Sequence, residues 1–542
     1  MYQRFTRKKV RDAARIRRWR KRAAKDFQKF GVSRQAVETA QQGFQGTIIL
    51  PGDPEYNTER MLANPVFNPY PQVILLCACE SDVAIALNLA WGSSPSTPFT
   101  VRSGGHCTAG FSAGPGFLID VSALNDVCID PVGLTASVAA GCNFGKFGPM
   151  LDEYGLHVPI GDCPDVCVAG YMQGGGYSFT SRTFGMQCDN VLQVRVMLGN
   201  GDIVIASPTL NYDLFWAVCG GTGGNFGVLL SVTFKLVQLG PIMGFSFAWT
   251  LATESDRATA ASALAEIQAN YLSTAPTPMT PQMIFVWEPD PAGTGQIVPN
   301  MLCRGTYIGT EEEGLAAIAG IGALPGAYKQ YATMGSFSAI NAMLLDTPYT
   351  FPPFPPDMTS APYEDKQSRY VARNLSSIEW QAVLDWFVTS PNEYSAMCFE
   401  VTGGAINALP LETNAFIHRT AQFDAFLDVF WLKPEDQGPP EVFLSQFVAL
   451  FETFWNNEVY QNYPNVNVPD YRANYWGAAF NALAAVKAKY DPTTFFNFAQ
   501  AAVPYPDGAV APTWPPAVVT ALAQPIQVLR PGPYAAQAKV PA

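Results

Sequence analysis

Apolar residues fall in short runs along the front half of the chain, and glycine-rich turns separate them. Gln72-Val-Ile-Leu-Leu-Cys77 has strand length and no polar break, which predicts a buried strand. Ser81 to Trp91 then repeats apolar positions at helical spacing, with Ser81 as the expected N-cap. Phe99 to His106 predicts a strand entering a glycine turn, Phe117 to Val121 another strand, and Thr135 to Ala140 an alternating one. This rhythm lasts to Val228–Leu236, and a domain boundary is expected near Gly240. From Met243 to about Leu450 the runs lengthen. Phe245–Leu251 and Gln282–Trp287 predict long strands, and Glu311–Ile321 and Ile378–Val388 predict helices over an antiparallel sheet. Ala482–Tyr490 predicts a core helix, Thr347–Pro362 a Pro/Phe-rich surface loop or lid, and Pro506–Ala542 an extended tail.

Length and composition narrow the class. The chain has 542 residues, 48% of them hydrophobic and 14% charged, with 35 Phe, 22 Tyr and 11 Trp, enough for two or three large cores and incompatible with global disorder. No apolar run approaches the roughly 20 residues that cross a bilayer. The net charge of −12 is uneven, because residues 1–30 hold thirteen lysines and arginines against Asp12 and Asp26. An acidic body repels nucleic acid, so any attraction for a polyanion or anionic surface belongs to residues 1–30. Arg17-Arg18 is followed by no apolar stretch and reads as no export signal. The arm has no apolar stripe to dock on a core and is expected to add nothing to the fold. Eleven cysteines without paired spacing imply reduced thiols and a cytoplasmic protein. Cys77-x-Cys79, with three histidines in the whole chain, makes no metal site.

Candidate chemistry lies in three glycine clusters. Arg102-Ser103-Gly104-Gly105-His106 sits between two predicted strands, where adjacent glycines let backbone N–H groups approach an anion such as a pyrophosphate. No G-x-G-x-x-G opens a helix there, so this is not a Rossmann fingerprint. The second cluster runs from Gly161 through Cys163, Pro164, Val166 and Gly170 to Gly174, Gly175, Gly176 and Tyr177. The third ends in Gly223-Gly224-Asn225-Phe226-Gly227-Val228 and enters a strand.

Read together and in order, these clusters resemble the FAD-binding domain of the berberine bridge enzyme-like flavoproteins, within the vanillyl-alcohol oxidase and p-cresol methylhydroxylase type. Gly403-Gly404, His418-Arg419, Asn462-Tyr463 and Tyr490-Asp491-Pro492 extend the resemblance over roughly residues 45 to 505. It implies an α+β chain with an FAD-binding domain (46–240), a substrate domain with a helix-covered antiparallel sheet (241–450) and a return to the first domain (451–505), and it leaves the basic arm (1–45) and the Pro/Ala-rich tail (506–542) unexplained. It also implies FAD joined at two points, to His106 and to Cys163, with Cys167 the rival thiol. Val166 stands where the family controls access of dioxygen, and Tyr171 stands where a histidine is common.

The resemblance assigns the base to Tyr463. An unperturbed phenol near 10 is a weak base at neutral pH, so it needs a neighbouring cation or hydrogen bonds that favour phenolate, and Glu400, three residues before Gly403, is expected either to orient the substrate or to share a proton with the tyrosine. The implied reaction passes a hydride from the carbon of an alcohol or sugar hydroxyl to the flavin and electrons on to dioxygen, giving hydrogen peroxide. A sugar and a small aromatic metabolite remain alternatives. The rival class is a flavin-fold structural or interaction protein whose working part is the basic arm.

Overall fold

Val73–Leu76 (β2) and Phe117–Asp120 (β4) are buried almost throughout and, apart from Asp120, apolar, as parallel strands covered on both faces are. With Phe99–Arg102 (β3) they form the parallel part of a four-stranded sheet, β1-β2-β4-β3, in which Thr47–Ile49 (β1) pairs antiparallel at the edge. This computed structural model describes residues 14–15, 17–22, 25, 27, 31–92, 98–272, 277–290, 294–346, 353–355, 358 and 360–533. A second sheet is antiparallel, in the order β19-β9-β8-β10-β6-β5. Its strands are Val127–Asp130 (β5), Thr135–Ala139 (β6), Val191–Met197 (β8), Ile203–Ala206 (β9), Val228–Lys235 (β10) and Val528–Arg530 (β19). A short pair, Leu156–His157 (β7) with Val237–Gln238 (β11), closes this half.

The chain then lays down seven antiparallel strands: Ile242–Thr250 (β12), Met279–Pro289 (β13), Ile297–Tyr307 (β14), Tyr328–Gly335 (β15), Tyr363–Val371 (β16), Ala396–Val401 (β17) and Phe423–Trp431 (β18). Their order is β15-β12-β14-β13-β17-β18-β16. Alternation decides the faces. Phe245, Trp249, Phe285, Met397, Phe399 and Leu427 point into a core completed by helices Glu254–Ile267, Ser377–Phe387 and Gly438–Phe451. The opposite face carries the polar members of the same strands and looks toward the glycine loops of the first half. Along the chain the first core runs to Ile242 and the core of the sheet begins at Met243, after which Phe337, Ile340 and Leu344 of helix Phe337–Asp346 add to the first core again. Helix Phe480–Tyr490 returns to the first core, where buried Lys487 Nζ holds Asp491 Oδ2 at 2.8 Å and the carbonyls of Asn225 and Phe496 at 2.7 and 2.6 Å.

Three expectations need correction. The basic arm does join the fold: Trp19 and Phe27 are fully buried in the first core. Trp19 Nε1 donates to Asp53 Oδ2 at 3.1 Å, and Arg18 and Arg22 lie 3.6 and 3.7 Å from the other oxygen. Two aromatic anchors make no stripe, and their polar partner comes from 34 residues further on, so sequence periodicity could not reveal them. The tail is not merely extended, because it forms helix Pro516–Leu522, with Val518 buried, and strand β19. The helix expected from Ser81 starts at Glu80 with Cys79 as cap. Asp82 accepts from the backbone N–H groups of Gln45, Gly46 and Ala78 and so ties β1 to the start of this helix. Most of the expected lid, and residues 1–13 of the arm, lie outside the described residues. No helix among the described residues is long and apolar enough to cross a membrane.

Candidate active site

The first glycine loop is held at its root. Arg102 ends β3 opposite Asp120 of β4, its Nε donates to Asp120 Oδ2 at 2.5 Å, and its other nitrogens reach the carbonyls of Met61 and Glu59 at 3.0 and 2.6 Å. Arg102 is therefore a buried anchor that does not line the main cavity. Beyond it the backbone is released: among the described residues, no N–H from Ser103 to Thr108 donates a hydrogen bond within the protein. Gly105 has φ +74°, where a side chain is strained, and the turn presents His106 to the cavity. Burial lowers the proton affinity of His106, opposed by Asp165 and Glu364, so its ring favours the neutral form.

The second motif packs directly under the first. A Cβ on Gly104 would stand 3.1 Å from Cys167 N and 3.2 Å from its sulfur. Phe144 N and Gly145 N donate to the carbonyls of Val166 and Pro164 at 3.1 and 2.8 Å, which fixes the segment bearing Cys163. Cys163 is open to the cavity yet deep in the protein, and desolvation pushes its thiol up to about 12. Cys167 also touches the cavity, but it is buried and its sulfur lies 3.4 Å from Gly141 O. Val166 and Gly170 line the cavity, and a Cβ built on Gly170 meets nothing within 4 Å. Gly174, Gly175, Gly176 and Tyr177 do not line it. They form the turn against which the return segment packs, through Gly176 N to Tyr460 Oη at 2.8 Å, while Tyr177 Oη donates to Val401 O of β17 at 3.2 Å. In the third motif Gly227 lines the cavity, while Val228 is buried at the start of β10. The N–H groups from Gly223 to Gly227 again donate nothing among the described residues.

Strand register builds the facing wall. Tyr331, Ser246, Arg304, Gln282, Glu400, Asp424 and Tyr370 are successive cross-strand partners, one from each of the seven strands, and so make one polar row on one face. Two residues along, the row reads Ala248, Leu302, Ile284, Cys398, Phe426 and Ser368, and the next includes Ala396, Asp428 and Lys366. Between this wall and the loops lies a cavity of about 540 Å³. Tyr463 enters it from the return segment and donates to Glu400 Oε1 at 2.8 Å. Glu400 does not line the cavity and reaches it through Tyr463. Burial, reinforced by Asp162, pushes the Glu400 carboxyl up to about 8, opposed by the Tyr463 hydrogen bond and Lys366. Burial first, and Glu400 next, push the Tyr463 phenol well above its ordinary value. Asn462 is fixed by its Nδ2, which donates to Tyr171 O at 2.8 Å.

Sequence reasoning missed several wall residues. Lys366 Nζ sits 4.4 Å from the Tyr463 ring centroid and 4.7 Å from that of Phe426, and it pairs with Asp428 at 3.0 Å and Glu364 at 3.9 Å. Arg304 Nε donates to Gln282 Oε1 at 2.8 Å. The available signal was a polar residue on the alternating phase of an apolar strand, as in Phe423-Asp-Ala-Phe-Leu-Asp-Val-Phe-Trp431.

Comparison with known proteins agrees with this geometry. The family described as FAD binding domain matches residues 71–207, and that described as berberine and berberine like matches residues 459–502. The FAD-linked oxidoreductase YgaK of Bacillus subtilis is 26% identical over 475 residues, covering 85% of this chain and 97% of its own. The carbohydrate oxidase of Microdochium nivale is 27% identical over 509 residues, covering 87% and 96%. The structure of BBE-like 1 from Physcomitrella patens shares the fold, with TM-score 0.74 and 22% identity over 86% of this chain and 99% of that one. The residues present fit FAD: two runs of unused N–H donors suit a pyrophosphate, and Gly170 leaves open the space that a side chain would fill. With both family regions in order and the cavity between them, the chain is an FAD-linked oxidoreductase similar to the berberine bridge enzyme-like proteins.

Proposed function

We propose that this protein is an oxidase that removes hydride from the carbon of a sugar or alcohol hydroxyl and passes the electrons to dioxygen, releasing hydrogen peroxide. The observation that carries the reading is the Tyr463–Glu400 hydrogen bond, set in the wall opposite the glycine loops. FAD, when bound, supplies the hydride acceptor. We assign its two attachment points to His106 and Cys163, both of which line the cavity. A neutral His106 leaves a ring nitrogen with a free lone pair for such a bond.

The protein's own work is to move a proton. As the substrate O–H bond breaks, its proton passes to Tyr463 Oη, and the phenol proton of Tyr463 passes along the existing hydrogen bond to Glu400 Oε1. Glu400 must be ionised to receive it. Lys366 over the Tyr463 ring favours the negative charge that develops on the phenol oxygen during the exchange. Phe426 and Phe430 offer apolar faces, and Gln282, Arg304 and Asp428 offer polar groups, a mixture suited to a sugar ring. The carbohydrate oxidase relative supports that substrate class. The test is peroxide release by the purified yellow protein across neutral sugars and aromatic alcohols, with flavin reduction followed by stopped flow. Tyr463→Phe should reduce its flavin roughly 100-fold to 10,000-fold more slowly, the usual range for a general base. Reduction within a few-fold of wild type would remove Tyr463 from the proton path.

A further inference from the structure

Glu400 has a second buried carboxyl beside it. Asp424 of β18 is its direct partner in the β17–β18 ladder, so both side chains leave the same face with Cβ atoms about 4.5–5.5 Å apart. Asp424 is 1% exposed and Glu400 6%. Among the described residues, neither Asp424 oxygen has a hydrogen-bond donor of good geometry, Ser368 being the hydroxyl nearest to that role. The charged groups around the pair offer little compensation. Lys366 of β16 is shared with Asp428 and Glu364. Arg369 directs its terminal nitrogens to Ser368 O and Gln367 Oε1. Asp162 adds a further negative charge from the Cys163 loop. The remaining titratable neighbours are phenols and one thiol: Tyr370 of β16, Tyr460 and Tyr463 of the return segment, Tyr171 and Tyr177 of the second motif, and Cys398 of β17. His418, stacked on Tyr370 at 4.3 Å, is occupied by Glu458 and Gln461.

Two carboxylates this close, this dry and this short of cations do not ionise together. We propose that Asp424 is a positioning residue for the proton acceptor: it retains its proton beside Glu400 and, as the neutral acid, donates a hydrogen bond to Glu400 when that carboxyl ionises. The inference rests on the proton path through Tyr463 and Glu400. Glu400 gains a donor on the side away from Tyr463, so its charge is held without a buried cation. Burial and the nearness of Glu400 both raise the proton affinity of Asp424, in the direction this role needs.

The test reads protons directly, without a substrate. Infrared spectra of the resting holoenzyme resolve the C=O stretch of protonated carboxyls, and differences between wild type and variants assign each band. Wild type minus Asp424→Asn should show a buried protonated carboxyl at pH 7 that persists at pH 9 and is also present in Glu400→Gln. The Glu400 band should titrate near pH 8 in wild type. In Asp424→Leu, which lacks a donor, Glu400 should bind its proton about tenfold more tightly, whereas Asp424→Asn, with an amide N–H to offer, should stay within about twofold. Absence of the Asp424 band from wild type, or a Glu400 titration unchanged by Asp424→Leu, would overturn the proposal. If Asp424→Leu does not fold with its flavin, the Asp424→Asn spectra decide alone. Fast flavin reduction by Tyr463→Phe would instead sink the catalytic reading, and it leaves the carboxyl bands of Asp424 and Glu400 to be read as before.

Discussion

Replacing Glu400 by glutamine keeps size and shape and removes one ionisation, so it separates the two consequences of burying that carboxyl. With its proton affinity pushed up to about 8, Glu400 is ionised in roughly one molecule in ten at pH 7. If the ionised form accepts the proton from Tyr463, flavin reduction in wild type should rise about tenfold from pH 7 to a plateau above pH 8. Glu400→Gln should abolish that rise and lie roughly 100-fold to 10,000-fold below the plateau. Stability should move the other way. The folded-state value, about 8, lies above the ordinary 4.5 of an unfolded glutamate, so the folded chain binds this proton more tightly than the unfolded one. The associated stability is fully present below about pH 4.5 and is lost as pH rises toward 8, by an amount on the order of 5 kcal/mol. Glutamine does not titrate, so urea unfolding should show the variant gaining on wild type by a few kcal/mol between pH 5 and pH 8. A stability difference that is flat across this range, or a pH–rate rise that survives in Glu400→Gln, would refute the assignment.

Other consequences are as direct. Trp19→Ala should lower stability by about 3–5 kcal/mol, because it opens a cavity in the first core and takes a donor from the buried Asp53. A melting temperature within about 2 °C of wild type would show that the arm is dispensable. His106→Ala and Cys163→Ala should each retain flavin through acid precipitation, and only the double variant should release all of it; complete release from wild type would exclude covalent attachment. Val166 lines the cavity, and Val166→Leu should slow reoxidation by dioxygen sharply while leaving flavin reduction nearly unchanged. Equal reoxidation rates in rapid mixing would place the oxygen path elsewhere.

The strands and glycine turns were legible because local patterns dictate them. An aliphatic run such as Val73–Leu76 has few alternatives, and Gly105, with its positive φ, marks a turn that few other residues tolerate. Tyr463 and Glu400 could be named but not joined, since 63 residues separate them and only strand register and the return segment bring them to 2.8 Å. Lys366 was invisible for the same reason. Nothing near it in sequence reveals that β16 lies beside β18, which places its ammonium over Tyr463. Arg102 was misleading in the opposite sense: it belongs to the motif, yet its guanidinium is spent on Asp120 and two carbonyls behind the loop.

What sets the base at a fixed place relative to the glycine loops is one stretch of four residues. Tyr460 Oη accepts from Gly176 N at 2.8 Å, and its own N–H donates to Ser368 Oγ on the sheet at 3.1 Å. Gln461 Nε2 reaches Gly220 O at 2.9 Å, and Asn462 Nδ2 reaches Tyr171 O at 2.8 Å. Tyr463 turns back to Glu400. The segment thus bonds to the second and third glycine clusters on one side and to β16 and β17 on the other. Its position also explains Gly174, where a Cβ would collide with the side chain of Asn462. That glycine is required for the approach of the return segment. A sheet register shifted by one residue would send Glu400 and Asp424 to the apolar core face and leave Tyr463 without its acceptor. The chemistry therefore depends on the same pairings that build the substrate-domain core, and substitutions that loosen β17 or β18 should affect proton transfer before they unfold the chain.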